Sequence, residues 1–148
     1  MDSKRIRGIS HPIPTEYAER IYNEGKTVFV SKKHLGKVSS GDKFVVYESH
    51  GVKGYTGWAD IKSIGLQDSK TIAQKYGKKL VLSTKEFNEY SKGKKKMNII
   101  EFENFEKFKK PVKPTSFMKL GTEKIYFVTV AGKYIFEDEY QIIKKNKD

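Results

Sequence analysis

The chain has 148 residues, with 30 Lys and Arg against 18 Asp and Glu, a net charge of +12 and no cysteine. That length suits a single domain, 1–148, with one core, and the missing thiols exclude disulfides, thiolate nucleophiles and cysteine zinc sites. No apolar run approaches the roughly 20 residues needed to span a bilayer, and the polar start has no hydrophobic signal core, so a cytoplasmic protein is expected.

The three histidines, His11, His34 and His50, match no metal-ligand spacing; neither a metal nor a cofactor is expected. A pI near 9.6 points to a polyanionic partner, because clustered cations displace condensed counterions from a phosphate backbone. The cations are nearly all lysine, with Arg only at 5, 7 and 20. Lysine enrichment of this kind also fits a thermophile's surface.

In chain order, Ile9 to Pro14 reads as an extended segment leading into a loop, since Pro12 and Pro14 disfavour helix before them. A helix is predicted over 16–24, capped by Thr15, with Tyr17, Ala18, Ile21 and Tyr22 on one stripe and Gly25 at the left-handed stop. Thr27 to Val30 is β-prone. After the Gly41-Asp42 turn, Phe44 to Tyr47 and Tyr55 to Ile64 form a hairpin. Asp68 or Ser69 caps a second helix carrying Ile72 and Tyr76. Ser83 and Glu86 have the spacing of a capping box for a third, over 84–91, with Phe87 and Tyr90 inward. Met97 to Phe105 and Ile125 to Val130 read as strands, Pro111 and Pro114 as an extended crossing, and Glu137 to Ile143 as a terminal helix with Glu137, Asp138 and Glu139 at its exposed start. Strands without a βαβ rhythm or an internal repeat predict an α+β fold: a small mixed β-barrel of about five or six strands with helices packed around it.

Gly25-Lys26-Thr27 imitates the end of a phosphate-binding loop, but Arg20 stands where the first glycine belongs and the triplet follows a helix. Gly51, Gly54 and Gly57 are turn and bulge glycines of the hairpin. Strict alternation puts Trp58 on one face with Thr56 and Asp60, where it is either a stacking platform for a base or a core Trp packed on a helix.

The stretch Tyr17 to Ile21 with Gly25-Lys26-Thr27-Val28 resembles the helix and strand start of ASCH domains, small members of the PUA-like superfamily. Gly41 to Ser49, followed by Gly54 to Ile61, is similar to the hairpin of EVE and ASCH domains, and Phe102 to Pro114 to the late strand and crossing of EVE domains. The whole resembles a mainly archaeal family of stand-alone PUA-like proteins beginning with a segment like Ser10-His11-Pro12. The resemblance implies an RNA-linked or modified-base-linked role, with a pocket where the Ser10-His11 loop, the Lys26 strand start and the end of the Tyr47 to Ser49 strand converge. Some ASCH proteins resemble amidohydrolases that act on modified cytidine through a Lys-Thr-x-Thr pattern and a glutamate. Lys26 and Thr27 match it and Glu86 is the candidate acid, but Phe29 replaces the nucleophile.

The reading is therefore a PUA-like protein that binds RNA or a modified nucleotide, with no catalytic residue assigned. Lys26, Lys32, Lys33 and Lys53 are expected to contact phosphate, and Tyr47, Ser49 and Trp58 a base, with Ser10 and His11 at the lip. The alternatives are an ASCH-type amidohydrolase and a basic protein-interaction module. The sequence is silent on oligomeric state.

Overall fold

Eleven elements follow one another in the computed structural model, which describes residues 5–32, 37–48, 53–113 and 133–148. They are β1 (Ile6–Ile13), α1 (Thr15–Glu24), β2 (Val28–Ser31), β3 (Lys43–Glu48), β4 (Gly54–Asp68), α2 (Ser69–Tyr76), a single 3-10 turn (Gly77–Lys79), α3 (Thr84–Tyr90), β5 (Lys96–Val112), β6 (Lys133–Phe136) and α4 (Glu137–Asn146). The strands form one six-stranded mixed sheet in the order β2-β5-β4-β3-β1-β6. Only β1 and β3 run parallel; the other pairs are antiparallel.

The sheet curls without closing. Neighbouring strands lie about 4.8 Å apart, so a flat sheet would hold β1 and β2, four strand steps apart, at about 19 Å. Yet the rings of His11 on β1 and Phe29 on β2 are 4.8 Å apart, and Phe29 lies 5.2 Å from Phe44 on β3. Inside this curl, alternate side chains of β1, β3, β4 and β5 meet Ala18 and Ile21 of α1 around Ile9, Ile13, Phe44, Ala59 and Phe102. The outer face carries two further cores. At one end, α2 and α3 bury Ile72, Tyr76 and Phe87 against Val28, Met97 and Ile99. At the other, Ile143 of α4 packs on Val45, Tyr55, Trp58 and Ile135.

Local sequence signals explain most elements. Gly25 ends α1 in the left-handed conformation at φ 69°, its N–H donating to the Arg20 carbonyl. The Asp68 carboxylate caps α2 through the Lys70 N–H, and Ser83 with Glu86 closes both halves of a capping box on α3. The hairpin of β3 and β4 pairs as expected; β4 runs on to Asp68, and β5, expected to end at Phe105, runs on to Val112.

Several expectations are corrected. Ser10 and His11 lie within β1, paired with Val45 and Val46, and not in a loop. Pro14, not Thr15, occupies the N-cap of α1. Glu137 and Glu139 do open the terminal helix, yet both are buried, and Glu137 accepts two hydrogen bonds from the Arg7 guanidinium at 2.9 and 3.0 Å. Register shifts on both sides of β4 break its alternation, so Thr56 faces Tyr22 inside the curl while Trp58 faces α4 outside. The predicted strand at 125–130 and Pro114 lie outside the described residues. Among those described, no helix is long and apolar enough to cross a membrane.

Candidate nucleic-acid interface

More than half of the excess charge resides in one segment. Residues 69–96 hold nine lysines against Glu86 and Glu89, a net +7 of the chain's +12. The short helices α2 and α3 bury their apolar stripes on the β2 and β5 face, which turns the lysines outward; Lys70, Lys78, Lys79, Lys85 and Lys92 are all exposed.

A groove of about 940 Å³ opens between this segment and α1. Arg20, Glu24 and Lys26 form one wall; Ala73 to Thr84, including Lys75, Lys78 and Lys79, form the rest. Arg20 is committed elsewhere. Its guanidinium donates to the Glu86 carboxylate and to the Val81 carbonyl, and Glu86 also takes the Tyr17 hydroxyl and the Ser83 N–H. These donors, Arg20 first, hold the Glu86 carboxyl down at about 2. With that pair neutralised, the groove presents four lysines and one carboxylate, Glu24. A concave wall with such an excess of one sign focuses potential onto an anion.

The candidate residues named from sequence are dispersed by the fold. Lys26 lines the groove and donates from Nζ to the Lys78 carbonyl at 2.7 Å. Lys32 stands at the far end of β2, its ammonium 4.9 Å from the Tyr90 ring and its N–H on the Tyr90 hydroxyl. Both therefore flank the α2–α3 segment. Lys53 is exposed at the hairpin, at φ 52°. Lys33 and Ser49 lie outside the described residues.

Ser10 and His11, being adjacent on a strand, face opposite ways. Ser10 is fully buried on the outer face beside Tyr55, whereas His11 points into the curl against Phe29 and Phe44. Burial pushes the imidazole down to about 4, and its Nε2 has no hydrogen-bond partner among the described residues. Tyr47 and Trp58 share the outer face, Tyr47 half-buried against Tyr55 and Trp58 under α4. The Trp58 ring is 4 % exposed, stacks on Tyr140 at 5.2 Å, meets Phe108 edge-on and donates from Nε1 to Glu106. It is a core Trp packed on a helix, with no ring face open to a base.

Sequence reasoning missed Lys75, Lys78 and Lys79 as groove residues. Their spacing was visible, but their convergence with Lys26 depends on Val28 bridging Leu80 and on the Val81 N–H reaching the Val28 carbonyl, a pairing of segments some 50 residues apart.

The comparisons with known proteins fit this architecture. The model of the domain of unknown function DUF365 matches residues 6–137. The chain belongs to the DUF365 family. A curated relative of this DUF365 chain, the uncharacterised protein MJECS03 of Methanocaldococcus jannaschii, is 34% identical over 116 residues, covering 70% of this chain and 98% of its own. Among solved structures, ASCH from Zymomonas mobilis superposes with a TM-score of 0.83 at 17% identity, covering 96% of each chain. The N-terminal domain of Staphylothermus marinus McrB gives 0.59 at 14% identity, covering 99% of this chain and 98% of that one. This DUF365 chain thus has the ASCH, PUA-like fold, in the open six-stranded form described above.

Proposed function

We propose that this DUF365 protein binds RNA, or a modified nucleotide within nucleic acid, and that the groove beside α2 holds the phosphate backbone. One observation carries the reading: the groove sets Lys26, Lys75, Lys78 and Lys79 against a single carboxylate outside an ion pair. Lys32 extends the same basic face. Lysine ammonium groups are point cations that neutralise phosphate without reading sequence, as a backbone grip requires. The ASCH, PUA-like fold supports the same class of ligand by analogy. His11, with its unpartnered Nε2, keeps a proposed place at the base-contacting lip. Tyr47, half-buried, keeps its proposed place as a base contact; Trp58 does not, since Tyr140 of α4 covers its ring.

The amidohydrolase alternative has less support. Phe29, at the position of the nucleophile, packs between His11 and Phe44, Lys26 is turned to a carbonyl, and Glu86 is tied to Arg20.

The test compares binding of tRNA, single-stranded RNA and duplex DNA by the wild type and by Lys78→Ser/Lys79→Ser. The proposal expects submicromolar binding of an RNA, weakened about tenfold or more in the double variant at unchanged melting temperature. Equal binding by the two proteins would overturn the assignment of the groove.

A further inference from the structure

Away from the groove, where the end of β3 meets the start of β4, a carboxylate is buried with few partners among the described residues. Glu48, the last residue of β3, is 6 % exposed. Its one hydrogen bond among the described residues comes from the Tyr22 hydroxyl at 3.2 Å, and that hydroxyl is shared with Thr56, itself 4 % exposed. No Lys, Arg or His among the described residues forms an ion pair with it. A carboxylate has room for about four donors, and holding one this deep with a single neutral donor is costly. A buried polar group left so short of partners calls for an explanation.

The surroundings narrow the explanation to one chemistry. Tyr22 and Phe105, both half-buried, lie 5.3 Å apart, and the exposed Lys107 holds its ammonium 5.0 Å from the Tyr22 ring. Phe105 can lie there because Gly57 beneath it has no side chain. Lys53, also exposed, sits next to Gly54, the residue paired with Glu48. The exposed Lys53 and Lys107 disfavour a simple amine or metal cation, and the carboxylate repels a bare anion. A nucleotide satisfies both. Of the bases, adenine and cytosine set an acceptor beside their amino group and uracil flanks its N–H with two carbonyls. Guanine alone offers two adjacent donors, N1–H and N2–H, in the fork that a carboxylate accepts.

We propose that Glu48 is the reading group of a guanine site, with Tyr22 and Phe105 supplying ring surface and Lys53 and Lys107 the phosphate contacts. This site is separate from the groove, although its biological meaning rests on the reading that the protein binds nucleic acid.

Calorimetric titration with GMP, IMP and AMP tests it. GMP should bind about tenfold more tightly than IMP, which lacks the amino donor, because a good bidentate contact discriminates by roughly five- to 150-fold; AMP should bind more weakly still. Glu48→Gln should abolish the preference for GMP while leaving the melting temperature unchanged or raised. Tyr22→Phe, which keeps the ring, should retain the preference. Equal binding of the three nucleotides, or a preference that survives Glu48→Gln, would overturn the inference. RNA binding through the groove without any preference for guanine would sink this site and leave the proposed function standing; GMP selectivity without RNA binding would do the reverse.

Discussion

A Cβ added to Gly57 would lie 2.5 Å from the Phe105 ring and 2.9 Å from the Glu106 carbonyl. Gly57→Ala should therefore destabilise by about 1–3 kcal/mol, the usual cost of overpacking, and urea denaturation will measure it; no change would mean that Phe105 does not rest on this strand. His11 makes a second prediction. Its folded pKa is about 4 against about 6.5 when unfolded, so between those values the unfolded chain binds a proton that the folded one does not. Stability should fall as pH drops from 6.5 to 4 and level off below. His11→Phe, which keeps an aromatic ring beside Phe29 and Phe44, should flatten that window in melts against pH. Single residues were legible when their signal was local, as Gly25 was at the end of α1. Trp58 was not, because strict alternation cannot foresee the register shifts that turn it to α4 while Thr56 turns to Tyr22.

The α3 start is the element best specified by sequence. Ser83 and Glu86, three residues apart, made the capping box visible, but the tertiary use of Glu86 by Arg20 and Tyr17 across more than 60 residues was hidden. Glu86 is depressed from 4.5 to about 2, so its contribution is complete above pH 4.5 and fades as pH falls towards 2. Glu86→Gln should lose about 1 kcal/mol at neutral pH, discounted because the pair is partly exposed, and should remove that part of the acid sensitivity. A melt series from pH 7 to 2 that is identical in both proteins would show the bridge to be idle. The length of β5 was missed because Pro111 argued against a strand. It is tolerated between the pairs Gly57↔Lys107 and Tyr55↔Val112, where the register slips and the ladder is interrupted. β6 is four residues long and gave no periodic signal.

At the scale of the molecule, the α+β class, the hairpin and the ASCH, PUA-like resemblance were all legible, because each rests on patterns within a few tens of residues. The curl that brings Phe29 to His11, and the folding of the lysine-rich segment beside α1, were not. They arise from pairings such as β2 with β5 and Val28 with Leu80, which join residues far apart in the chain. The groove is their result: Lys26 and lysines of the 69–96 segment meet in one concave, mainly basic patch. The central claim, that this patch grips a phosphate backbone, is tested most directly by the slope of log binding constant against log salt for a single RNA. The account predicts a steep negative slope for the wild type, made shallower by about one unit for each lysine contact removed in Lys78→Ser/Lys79→Ser. A slope that both proteins share would contradict it.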